Sequence, residues 1–212
     1  MENRKTYILV EGVTDVIFLK GLLISDLFLF KVDETKVSTK KEVYLYNDSR
    51  NHSVILQCVS KIDSPTGGGW TAFLQKRTHE DIIEKIEQGY TCLLFIDSDD
   101  ETKDGGFYKR KEKVTGNFPK HIIEKGLCNM FFFPNNKDDG DLEDILKEIV
   151  QPNIGFECLE RFAECYSSYK KIDKKKIYYN LYFDICQTGP MTAWNFQLLC
   201  EHALINFMQQ YF

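Results

Sequence analysis

Three carboxylates follow directly on apolar runs. Glu11 comes after Tyr7-Ile-Leu-Val10, and Asp97 and Asp99 come after Thr91-Cys-Leu-Leu-Phe-Ile96. A short continuous apolar run reads as a strand buried on both faces of a parallel sheet. Side chains at the carboxyl ends of such strands border the crevice where open α/β sheets bind ligands. If the two runs are neighbouring parallel strands, all three acids open on one edge. In extended backbone Asp97 and Asp99 share a face while Ser98 points the other way. Like charges held together repel, and a divalent cation relieves them. Hard carboxylate oxygens without a nearby His or Cys pair favour Mg²⁺ or Mn²⁺ over Zn²⁺. Taken singly, each acid has a plainer reading, since strand-end acids often cap a helix or solvate a loop.

Further acids extend the set. With about 100° per residue, Leu142, Ile145, Leu146, Ile149 and Val150 make one apolar helical arc. Glu143 borders that arc and leans toward the sheet edge, whereas Asp144 faces water. An acid in a first helical turn is equally accounted for by the helix dipole. Asp15 sits just after Glu11-Gly12 and has the same plain account, and Asp100 reads as a loop acid or a water-mediated ligand.

The elements that must position these groups alternate as strand, helix and strand, which argues for a parallel sheet with flanking helices. A helix capped at Thr14 runs over Val16 to Ile24 and is apolar nearly all round, so it should be covered on more than one side. Val43 to Tyr46 alternates like a strand. Val54 to Ile62 reads as a second strand of the main sheet, followed by the turn Asp63 to Gly69 and a helical segment opening at Trp70. Gly67, Gly68 and Gly69 permit a tight strand-to-helix turn or close backbone approach to a phosphate. A helix over His79 to Gln88 ends at Gly89. Glu101 to Gly116 reads as a mobile basic loop, followed by a helix over Pro119 to Lys125 and a strand over Met130 to Phe133. Gly155 to Lys171 and Ala193 to Phe212 read as helices.

With 212 residues, 43% of them hydrophobic, the chain suits one core domain over residues 1–150 and a mostly helical extension over 151–212 packed on it. The 27 basic and 32 acidic residues leave a charge of −5, so no global attraction draws it to a polyanion. A nucleic acid would need a metal or a local basic patch such as Lys109, Arg110 and Lys111, or Lys174 to Lys176, and such runs are more often solvated surface. The seven cysteines include no CxxC pair, as in reduced cytosolic proteins. No apolar stretch approaches the roughly 18 residues of a membrane span and no leader pattern opens the chain, so a cytoplasmic protein without membrane contact is expected. The aromatic residues from Trp194 to Phe212 suit packing on the core or on a partner, another copy of the chain included, better than base stacking.

Several chemistries are excluded. No Walker lysine follows the glycine cluster, Thr102 stands where an EF-hand loop needs glycine, no GxSxG elbow occurs, and the histidines lack ligand spacing. A haloacid-dehalogenase nucleophile would lie on the first core strand, yet here an earlier strand carries Glu11.

The order of apolar strand, Glu-Gly, helix, glycine-rich turn, helix, apolar strand and Asp-x-Asp resembles the TOPRIM fold, a Rossmann-like domain shared by topoisomerases, bacterial primases and overcoming-lysogenization-defect (OLD) nucleases. The resemblance covers about Lys5 to Val150. It is greatest to small stand-alone TOPRIM-like proteins of the DUF3226 kind and to the OLD nucleases, through Gly67-Gly-Gly-Trp70 and Gly140-Asp-Leu-Glu-Asp144. It implies acid/base or metal duty for Glu11, metal coordination by Asp97 and Asp99, and completion of the site by Glu143. The implied activity is Mg²⁺- or Mn²⁺-dependent phosphodiester hydrolysis of DNA or RNA. The alternative is a non-catalytic module that binds metal, nucleotide or nucleic acid within a larger assembly. About 60 residues beyond the domain leave no room for a topoisomerase cleavage domain, and zinc-ribbon cysteines of a primase are missing.

Overall fold

The computed structural model describes residues 3–39, 41–59, 69–103, 105–149, 157–158, 161–162, 164–165 and 194–212. Its strands are β1 (Arg4–Val10), β2 (Lys31–Val32), β3 (Glu42–Asn47), β4 (His52–Cys58), β5 (Thr91–Asp97) and β6 (Cys128–Phe133), in the spatial order β2-β3-β4-β1-β5-β6. β4, β1, β5 and β6 are parallel, while β3 and β2 add an antiparallel edge. The edge is antiparallel because only residues 48–51 link β3 to β4, and a parallel pair needs a crossover of about a dozen residues or more. Asn47 closes that link by accepting from the Arg50 amide at 3.2 Å, and Asn51 takes φ +48°.

The helices are α1 (Val13–Ile24), α2 (Lys76–Glu87), α3 (Phe107–Asn117), α4 (Lys120–Glu124), α5 (Leu142–Ile149) and α6 (Ala203–Met208). The central strands are apolar over most of their length, Tyr7–Val10 in β1, Val54–Leu56 in β4 and Cys92–Ile96 in β5, because both their faces are covered there. On β5, Leu93 and Phe95 join a cluster with α1, α5 and the C-terminal segment, while Cys92, Leu94 and Ile96 join one with the 3-10 turn Trp70–Leu74, α2, α3 and α4. As its composition requires, α1 is covered from several sides. Phe18 meets the rings of Phe133, Trp194 and Phe196 at centroid distances of 6.4, 5.7 and 5.9 Å.

Three local expectations are corrected. The basic segment expected to be a loop becomes helical from Phe107, with Phe107, Arg110 and Val114 on its buried side. Its period was hidden because a charged residue fills the middle core position. The α1 cap is Gly12 rather than Thr14, with Asp15 accepting from the Gly12 amide at 2.7 Å. The expected C-terminal helix is two short pieces, a 3-10 turn over Phe196–Leu199 and then α6, which His202 caps by accepting from the Leu204 amide at 3.1 Å. Its aromatics are core: Phe207 lies 5.9 Å from Phe95 and 5.4 Å from Phe131.

Of the helix expected over residues 155–171, Glu157, Cys158, Arg161, Phe162, Glu164 and Cys165 are described and helical. Gly67, Gly68, Lys170, Lys171 and Lys174 to Lys176 lie outside the described residues. No described helix is long and apolar enough to cross a membrane.

Candidate functional site

β1 and β5 are adjacent and in parallel register, with Val10 opposite Phe95, so Glu11 leaves β1 beside the end of β5. The Asp97 amide donates to Glu11 Oε1 at 2.7 Å. Asp97 Oδ1 in turn accepts from the Leu142 amide at 3.0 Å, which ties β5 to the first turn of α5. Two residues further, Asp99 and Gly140 exchange backbone hydrogen bonds of 2.6 and 3.1 Å. Gly140 has φ +143°, and a Cβ there would fall 2.6 Å from Asp144 Oδ2 and 3.0 Å from Pro134 Cδ, so this close approach requires glycine.

The extended alternation stops at Asp97. Ser98 is buried, and Asp99 turns into the left-handed region at φ +52°. The two aspartates therefore do not share a face by strand geometry. Instead Arg110 reaches both: Nη1 donates to the Asp97 carbonyl at 3.1 Å and Nη2 pairs with Asp99 Oδ2 at 2.9 Å. The Arg110 guanidinium lies 4.3 Å from the centre of the Trp70 ring. Arg110, expected at the surface as a phosphate contact, is wholly buried because the core-facing side of α3 carries it inward.

Charge in this corner is under strain. Burial above all, then Asp15 and Asp99, push the Glu11 carboxyl up to about 8, against the opposing pull of the Asp97 amide and Arg110. Burial raises Asp97 well above the usual carboxylate range as well, followed by Glu11, Asp15, Glu143 and Asp141. Glu143 thus acts on the site electrostatically. Asp144 does not simply face water: it is half-buried and accepts from the Asp141 amide at 3.1 Å, bonding back across the first turn of α5 as Asp15 does in α1. Asp100 is an exposed turn acid that accepts from the Thr102 amide at 2.9 Å. Lys109 and Lys111 are exposed on α3, and Gly69, at φ +95°, leads the chain into Trp70.

A family model described as "Protein of unknown function (DUF3226)" matches residues 5–193. The chain belongs to the DUF3226 family. Among solved structures, this DUF3226 chain is similar to the crystal structure of hypothetical protein PH0156 from Pyrococcus horikoshii OT3. The identity is 14% and the TM-score 0.48, with 98% of this chain and 99% of that chain covered. No curated protein matches the sequence.

In donor chemistry alone, the carboxylates that this DUF3226 chain brings to the sheet edge are of the kind that suits a divalent cation. Burial holds the Glu11 and Asp97 carboxyls above their usual range despite the nearby Arg110 guanidinium, and their oxygens are hard donors. Glu11, Asp97 and Asp99 each commit one oxygen to an N–H donor, and among the described residues the other oxygen of each takes no hydrogen bond. The side chains are not drawn together as they stand, since no three His, Cys, Asp or Glu among the described residues form a metal-holding group. Trp70, read from the sequence only as part of the glycine-rich motif and the start of a helical segment, meets Arg110, which was expected at the surface. The available signal was a lone arginine between Phe107 and Val114 at helical spacing, directly after the acidic strand end.

Proposed function

We propose that the chain is a TOPRIM-type phosphodiesterase that uses Mg²⁺ or Mn²⁺ to hydrolyse DNA or RNA at the edge formed by Glu11, Asp97 and Asp99. The observation that carries this reading is the placement of the Glu11 and Asp97 carboxyls together at adjacent parallel strand ends, where burial first and neighbouring acids second hold both above the usual carboxylate range. Asp97, Asp99 and Glu143 would hold the cation, which when bound supplies charge stabilisation for the attacking and leaving oxygens. In its ionised form Glu11 would accept the proton of the attacking water at Oε2, its Oε1 being fixed by the Asp97 amide, and with the carboxyl raised to about 8 that form grows as pH climbs toward 8. Water oxygen bonds to phosphorus as the ester P–O bond breaks, the leaving oxygen takes a proton from solvent, and the products are a phosphomonoester and a hydroxyl. Exposed Lys109 and Lys111 on α3 offer positive charge to the flanking phosphates.

Asp97→Asn tests the reading, with Mn²⁺ binding followed by calorimetry and cleavage of single- and double-stranded DNA and RNA assayed in either metal. Wild type should bind and cleave, and the variant should lose both. Wild-type cleavage that survives in Asp97→Asn assigns the activity to another site. A second reading, a non-catalytic module binding metal or nucleic acid, draws support from the engagement of Asp99 by Arg110. Binding without turnover by wild type would select it.

A further inference from the structure

Arg110 combines features that a surface cation does not have. Its side chain has no solvent exposure, its guanidinium lies over the Trp70 ring, and its Nε has no hydrogen-bond partner among the described residues. The two donor contacts it does make straddle Ser98 and tie the backbone of one aspartate to the carboxylate of the next. A buried ion pair of this kind is a weak source of net stability, because desolvation offsets most of its attraction. Its value lies in geometry.

Asp99 needs such a restraint. A non-glycine residue in the left-handed region is disfavoured, Asp less than most, and is kept there most firmly where the surroundings hold it. Two things hold Asp99 at φ +52°: the backbone bridge to Gly140 and the Arg110 fork. The fork itself is anchored through the start of α3. The Gly106 amide donates to the Ser98 carbonyl at 2.9 Å, and a Cβ on Gly105 would lie 2.6 Å from Asp99 Cβ, so this helix start packs directly on the 98–100 turn. With its Cζ lying over the Trp70 ring, the guanidinium is confined on that side while its donors point at Asp97 and Asp99.

We infer that Arg110 is a positioning residue: it sets the direction of the Asp99 carboxylate relative to Asp97, engaging Oδ2 and presenting Oδ1. In its functional consequence this rests on the metal reading above, and carboxylates held in this way by outer partners bind a cation more tightly than free ones. Charge acts in the opposite sense, since a guanidinium beside the site repels a divalent cation. Arg110→Lys separates the two effects, because lysine keeps the charge and loses the fork.

The test measures Arg110→Lys against wild type in two ways. By calorimetry, Mn²⁺ affinity should fall by about tenfold while circular dichroism stays native. By hydrogen exchange in metal-free buffer, the Asp99 and Gly140 amides should exchange about tenfold faster, with the amides of β1 unchanged. Wild-type Mn²⁺ affinity in the variant, or tighter binding, overturns the positioning role in metal binding. Unchanged protection of the Asp99 and Gly140 amides overturns positioning whatever the metal does. If wild type itself binds no Mn²⁺, the metal reading fails and the exchange measurement still decides the role of Arg110. Should Arg110→Lys not fold, Trp70→Leu removes the ring from the half-buried side of the clamp. The same two shifts, smaller, are then expected, and their absence counts against the inference.

Discussion

Replacing Glu11 by glutamine removes a buried charge while keeping the oxygen that accepts from the Asp97 amide, so it reads the electrostatic strain of the site in isolation. In the folded protein the carboxyl is raised from 4.5 to about 8. A raised acid is stabilising only in its protonated form, so its contribution is intact at low pH and is lost as pH climbs from the unfolded value through the folded one. Linkage with these two values gives a cost of about 0.8 kcal/mol at pH 5 and about 4 kcal/mol at pH 8, as ceilings. Relaxation of neighbouring Asp15 and Asp97 absorbs part of this. At about 2–4 °C per kcal/mol for a chain of this size, Glu11→Gln should melt roughly 5 °C or more above wild type at pH 8, and within about 3 °C of it at pH 5. The assay is thermal unfolding in chelator across that pH range, repeated with Mn²⁺. The cation should raise wild type at pH 8 and narrow the gap, because it takes over the neutralisation that glutamine achieves by substitution. A gap of equal size at both pH values, or a variant less stable at pH 8, would refute the reasoning.

Two other outcomes follow from the same geometry. Glu143→Gln should weaken Mn²⁺ binding in calorimetry, because Glu143 adds negative charge at Asp97, whereas Asp144→Ala should leave binding alone and cost about 0.5–2 kcal/mol of stability through its lost contact to the Asp141 amide. Equal effects of the two on binding would remove Glu143 from the site. His52 shares a 2.8 Å hydrogen bond between its Nε2 and Thr6 Oγ1, stacks on Phe212, and is held down to about 4 by burial first and then by Arg4 and Arg50. A depressed histidine costs nothing above its unfolded value of 6.5 and destabilises the fold as pH falls from there toward 4, by about 3 kcal/mol at pH 4. His52→Gln should flatten that part of the acid-unfolding curve in denaturant titrations, and an identical acid slope in both proteins would count against it.

What the sequence determined by itself was the parallel heart of the sheet and the acids at its edge. Tyr7 to Val10 and Cys92 to Ile96 are apolar at every position, a pattern that only burial on both faces satisfies, and a strand so buried must deliver its next residue to the sheet edge. Glu11 and Asp97 were legible for that reason, and so was a helix over Leu142 to Ile149, whose apolar arc faces the core. Tertiary structure decided everything that depends on contacts between distant segments. The antiparallel edge arises from the four-residue link between β3 and β4, and the split of the C-terminal segment places His202 as a cap between its two pieces. The direction of Asp99 was decided in the same way. Strand alternation carries a side chain only as far as the strand lasts, and beyond Asp97 the chain is steered by Gly140 on one side and by Arg110 on the other. Arg110 itself looked like one cation in a solvated basic run. The packing of α3 on Trp70 and β5 takes it out of water, and burial makes a guanidinium seek a carboxylate partner.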